Sequence, residues 1–96
     1  MINFTTQKEY QGTNVETLMI SGFNDGSEFC TFRQAVDFFK IEGTQLKGAK
    51  SCAKLMKIVE KETFNKVSGK KDKKKVPFYF SVFEKNHLMQ IIKTNN

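Results

Sequence analysis

Residues 67–75, Val67-Ser68-Gly69-Lys70-Lys71-Asp72-Lys73-Lys74-Lys75, hold five lysines against one acid, and no hydrophobic core can take them in. Like-charge repulsion predicts an extended, mobile basic loop, so the ordered parts of the chain must form on either side of it. The positive excess is concentrated around this segment. Residues 40–75 carry twelve lysines and four acids, whereas residues 1–39 carry two positive and five negative side chains. Aromatic residues are interleaved with the lysines or follow them: Phe64, Phe78, Tyr79, Phe80 and Phe83. Cations with π faces among them suit single-stranded nucleic acid before duplex, membrane or acidic protein.

Before the basic stretch the periodicity is helical. Thr13 with Glu16 three residues on is a capping-box pattern, and Val15, Leu18 and Met19 follow at helical spacing, predicting a helix that ends by Ser21-Gly22. Phe23-Asn24-Asp25-Gly26-Ser27 reads as a turn. Thr31-Phe32-Arg33-Gln34 opens a second helix in the same way, with Phe32, Ala35, Val36 and Phe39 on one apolar face and Gly43 as the expected stop. Val76 to Phe83 is rich in β-branched and aromatic residues, and its only proline, Pro77, stands near the start, so it reads as a strand. Between these, Ser51 to Glu62 is ambiguous. Cys52, Leu55, Met56 and Val59 make a helical stripe, which period alone favours, while the same residues also allow a lopsided strand. In the tail, Leu88, Met89, Ile91 and Ile92 predict a further helix with Asn86 as its cap.

At 96 residues the chain is expected to form one domain spanning residues 1–96. With no apolar run long enough for a bilayer and no export signal, a soluble, cytoplasmic protein is expected. Cys30 and Cys52, separated by 21 residues, are expected to be free thiols. His87 is the only histidine; there is no paired metal-ligand spacing, no phosphate loop and no distinguished acid pair. No metal, no cofactor and no catalytic residue are expected, and an enzyme is the least favoured class.

Four segments occur in an informative order: Tyr10-Gln11-Gly12-Thr13-Asn14-Val15 with Leu18, Phe29-Cys30-Thr31-Phe32-Arg33-Gln34-Ala35, Leu46-Lys47-Gly48-Ala49-Lys50-Ser51, and Val82-Phe83. Together they resemble the N-terminal domain of ArdC-type antirestriction proteins, which also occurs on TraC-type plasmid primases, over about residues 8–88. Phe29 stands where that family usually has tryptophan, and Glu84 where asparagine is common. The His-Glu-x-x-His metallopeptidase domain of full-length ArdC proteins has no counterpart in these residues.

The resemblance implies an α+β fold, with N-terminal helices packed on a small antiparallel sheet. It also implies that the ambiguous segment is a strand, forming a hairpin of about Lys50–Glu60 with Pro77–Phe83 and the lysine loop at its tip. Sequence-independent binding of single-stranded DNA follows from the family, in a phage or mobile-element protein that protects DNA or counters host defence in the host cytoplasm. Lys47, Lys50, Lys54 and Lys57 are then expected to line one groove, with Gly48 and Ser51 beside them and Lys70, Lys71, Lys73, Lys74 and Lys75 as a closing arm. Asn14, Gln34 and Tyr10 are candidates for base or sugar contacts, and Arg33 is the single arginine, too few for guanine reading. Each also has a structural reading: Asn14 as a helix cap, Gln34 as the partner in a capping box, Gly12 and Gly48 as turn residues. RNA is an alternative partner. So is a host defence protein or another nucleic-acid enzyme, bound and inhibited through the basic face.

Overall fold

The computed structural model describes residues 1–95. The elements are β1 (Ile2–Asn3), β2 (Lys8–Glu9), α1 (Thr13–Ile20), β3 (Glu28–Cys30), α2 (Phe32–Phe39), a 3-10 turn (Gly43–Leu46), β4 (Ala53–Phe64), β5 (Lys71–Glu84) and α3 (Lys85–Asn95). The fold is α+β, with a five-stranded sheet in the order β2-β1-β3-β5-β4. All pairings are antiparallel except β1 with β3, which makes the sheet mixed.

Both faces of the sheet are covered at its base. On one face, Leu18 of α1 packs with Phe29, Leu55 and Val82, flanked by Tyr10, Phe23 and Phe80. On the other, Ala35 of α2 and Leu88 of α3 close over Cys30, Phe83, Phe4 and Leu46. Phe29 and Cys30 are adjacent in β3, so their side chains fall on opposite faces and each anchors one of the two clusters.

The second helix forms as its sequence predicts. Thr31 Oγ1 accepts from the Gln34 N–H at 3.3 Å, and Gln34 Oε1 accepts from the Thr31 N–H at 3.0 Å, a complete capping box. The helix stops earlier than Gly43, because Lys40 takes the left-handed conformation (φ 54°) and Ile41 N–H reaches back to the Val36 carbonyl. The first helix differs in its start. Gly12, with φ 61°, is the cap, and Thr13 lies inside the helix with no side-chain cap. At α3, the Glu84 carboxylate accepts from the His87 N–H at 2.9 Å, and Asn86 is a helical residue. Phe32, expected on the core face, is half-exposed at the rim, as is Phe38, which packs edge-on against Phe4 and Phe39.

The ambiguous segment is a strand, and the hairpin is longer than expected. Residues Ala53–Phe64 pair with Lys71–Val82 in unbroken register, from Ala53 opposite Val82 to Phe64 opposite Lys71. Residues 71–75 therefore belong to β5. The expected loop over 67–75 shrinks to a short turn held by Asn65 N–H to Lys70 O and Gly69 N–H to Asn65 O. The register sets Glu60 and Glu62 opposite Lys75 and Lys73 across the ladder, an arrangement that offsets part of the like-charge repulsion.

Candidate nucleic-acid interface

Strand geometry decides where each lysine of the hairpin points, since side chains alternate between faces. Leu55, Lys57, Val59 and Lys61 of β4 share a face with Lys74, Val76, Phe78, Phe80 and Val82 of β5, as the register places them opposite one another. Lys54, Met56, Ile58, Glu60 and Glu62 share the other face with Lys71, Lys73, Lys75, Pro77 and Tyr79. Lys54 and Lys57 thus lie on opposite faces. The expected groove of Lys47, Lys50, Lys54 and Lys57 is not one surface, because Lys54 and Lys57, three apart in a strand, point to opposite faces, while Lys47 and Lys50 precede the strand.

The two faces differ in charge arrangement. On the face of Lys54, the cations Lys73 and Lys75 each have a glutamate directly opposite. On the face of Lys57, Lys61 and Lys74 are directly opposite each other, a like-charge pair that costs stability, and the one carboxylate of the hairpin on that face, Asp72, lies opposite Thr63 rather than opposite a lysine. Lys57 itself has Phe78 opposite, and its ammonium lies 5.3 Å from the centre of that ring. Phe78 is 50% exposed.

This face leads down into a pocket of about 520 Å³. Lys57, Phe78 and Phe80 form one wall, and Lys8, Glu9 and Thr6 of the β1–β2 hairpin form the other. Asn3, Tyr10, Thr31 and Gln34 complete the lining. The pocket exists because β3 ends at Cys30, opposite Phe83, while β5 runs on without a neighbour on that side. For the same reason Pro77 interrupts no ladder bond.

The polar end of the pocket is rigidly organised. Asn3 is buried, and its Oδ1 accepts from Thr5 N–H at 2.9 Å and Thr5 Oγ1 at 2.7 Å. Its Nδ2 donates to Gln34 Oε1 at 2.7 Å, the oxygen that also accepts from Thr31 N–H. Both amides are oriented by backbone donors, which leaves the Gln34 NH₂ without a partner among the described residues. The Tyr10 hydroxyl is buried and makes no hydrogen bond among the described residues. Burial pushes its pKa up to about 12, a negative Cys30 adds to the rise, and the Asn3 amide opposes it without reaching hydrogen-bonding geometry.

The other sequence candidates are placed elsewhere. Asn14 is neither a helix cap nor free: its Nδ2 donates to the Met56 carbonyl and its Oδ1 accepts from the Met56 N–H, both at 2.9 Å. It occupies the open edge of β4 as a substitute strand would. Lys47, Gly48, Lys50 and Ser51 form a loop at the base of the sheet, tied down by Asn95 to the Lys47 carbonyl and by Lys50 N–H to His87 Nε2 at 3.0 Å. Gly48 adopts φ 91°, as a glycine-only turn. Arg33 is exposed on α2, Lys70 closes the hairpin turn, and Tyr79, 64% exposed, faces away from Phe78. Thus Tyr10, Gln34 and Lys57 come together and Lys74 shares the face of Lys57, while the remaining candidates are distributed over the loop, the tip, the opposite face, the β4 edge and α2. Lys8, Lys61, Asn3, Phe78 and Phe80 were missed as site residues. The alternation of Lys57 and Lys61 about Val59 could have nominated the lysines, but nothing in the short β1–β2 segment points to Lys8 or Asn3.

Both cysteines are free; burial raises the pKa of each, that of Cys30 to about 12. Among the described residues no group of three or more His, Cys, Asp or Glu could hold a metal ion. No helix among them is long and apolar enough to cross a membrane. In comparison with known proteins, the family model of the N-terminal domain of anti-restriction factor ArdC matches residues 1–83. No curated protein and no solved structure matches the chain.

Proposed function

This chain belongs to the family of the N-terminal domain of anti-restriction factor ArdC, and on that premise we propose that it binds single-stranded DNA without strict sequence preference, as part of an anti-restriction function. The observation that carries this reading is the face of the hairpin on which lysines and exposed aromatic surface are combined. Lys61 and Lys74 oppose each other directly, with Asp72 as the one hairpin carboxylate on that face, Lys57 stands beside an exposed Phe78, and Lys8 joins them at the pocket. A phosphate backbone running along this face relieves the repulsion and releases counterions, and the aromatic rings accept any base because every base has a π face. Lysines supply point charges without the planar bidentate geometry that reads guanine, in keeping with weak sequence dependence. A phage or mobile-element protein of this kind would coat incoming or replicating single strands and shield them from host enzymes.

Fluorescence anisotropy with matched labelled oligonucleotides, as DNA single strand, duplex and RNA, tests the reading. Binding should be tightest to the DNA single strand. With four lysines engaged, log K against log salt should fall with a slope of about −3, taking ~0.7 per phosphate neutralised. Equal, weak binding to all three that vanishes with salt would refute it and redirect attention to a protein partner.

A further inference from the structure

We propose that the pocket beneath Phe78 receives one turned-out base of the bound strand, and that Gln34 gives it a preference for bases bearing carbonyl oxygens. This rests on the reading of the chain as a single-strand binder and adds a site for a base to a surface otherwise suited to phosphates.

The pocket's volume of about 520 Å³ lies within the usual range for small-ligand sites, roughly 300–1,000 Å³. Phe78 and Phe80 give it an apolar wall of ring surface, and Lys57 lines it beside Phe78. A base that leaves the stack and enters against these rings brings its own phosphate to the Lys57 ammonium. The pocket therefore matches both halves of a nucleotide.

The carbonyl preference follows from the hydrogen-bond network. Gln34 Oε1 is consumed by Asn3 Nδ2 and the Thr31 N–H, so the amide cannot turn over without losing both bonds. It presents only N–H to a ligand. Thymine, with two carbonyl oxygens and one ring N–H on its pairing edge, offers acceptors to such a donor, whereas adenine offers only ring nitrogens beside an amino group. The carboxylate on the lining, Glu9, disfavours a second phosphate there and so favours a base as the inserted group.

The test uses the full chain and otherwise abasic DNA strands of equal length carrying one central thymine, one central adenine or no base, with binding read by anisotropy at low salt. The thymine strand should bind about 3- to 10-fold more tightly than the fully abasic strand, with adenine between. Phe78→Ala, at a half-exposed position, should abolish the gain from either base. Gln34→Glu retains the accepting oxygen and hence the capping box, so the melting temperature should hold, but it replaces the NH₂ donor and should erase the thymine preference. Equal binding of all three strands by the unaltered protein, alongside tight binding of ordinary single strands, would overturn this inference alone. Failure to bind any strand would overturn both it and the reading on which it rests.

Discussion

At the scale of single residues, the same side-chain chemistry serves structure or recognition according to what surrounds it. Asn14 has the donor and acceptor a base contact needs, but both are committed to the Met56 backbone. Asn14→Ala should therefore lower stability by ~1–2 kcal/mol, the cost of leaving backbone groups of a half-buried strand unpaired, as read from urea unfolding. Its effect on single-strand affinity should be smaller than that of removing lysines from the cationic face. Tyr10 and Cys30 carry a second residue-scale consequence. Their pKa values are raised, from 10.0 to about 12 and from 9.0 to about 12, so the folded state holds protons that the unfolded state releases. That stabilisation is complete below pH 9 and is lost as pH rises through the folded values. The melting temperature should accordingly decline between pH 9 and 12, and Tyr10→Phe should flatten the part of the decline above pH 10. An unchanged alkaline slope in that variant would show that the phenol does not contribute. His87, the only histidine, is a structural acceptor that docks α3 against the Lys50 loop.

At the scale of elements, the hairpin is decisive. A stretch read by period as a helix would have put Lys54 and Lys57 on one face; as a strand it separates them and groups Lys57 with Lys61 and, across the ladder, Lys74. Replacing Lys57, Lys61 and Lys74 together by alanine should weaken single-strand binding by about tenfold or more, at ~0.5–1 kcal/mol for each exposed phosphate contact. The triple replacement of Lys54, Lys73 and Lys75 should cost less, because two of these lysines already have glutamates opposite. Comparable losses in the two triple variants, measured by anisotropy at one salt concentration, would mean that total charge alone governs binding. Helix α2 shows the opposite relation between sequence and structure: its capping box was legible in Thr31 and Gln34, and the structure then gives Gln34 a further position on the pocket.

At the scale of the whole molecule, the hairpin makes the protein elongated. Its longest dimension is 56 Å and its radius of gyration 16.8 Å, against roughly 12–13 Å for a compact chain of this length. The small two-faced core at the base fixes α1, α2 and α3, and the arm projects from it with the cationic face leading to the pocket. The sequence by itself determined the second helix with its cap, the aromatic stretch as a strand, the concentration of charge, and, through four landmark segments, the family with its α+β class, whereas Pro77, expected near the start of its strand, falls in the middle of β5. These are local properties or ordered patterns, legible along the chain. Periodicity left the segment Ser51 to Glu62 open, since its stripe fits both periods, and the family resemblance implied a strand; only the tertiary structure decided its extent, Ala53–Phe64, and its register with β5. The faces of the lysines were settled in the same step, since a single register assigns every side chain of both strands at once. The pocket likewise became visible only in three dimensions. Its lining comes from β1, β2, β4, β5 and the start of α2, which are far apart in the chain and meet where β3 ends and β5 continues.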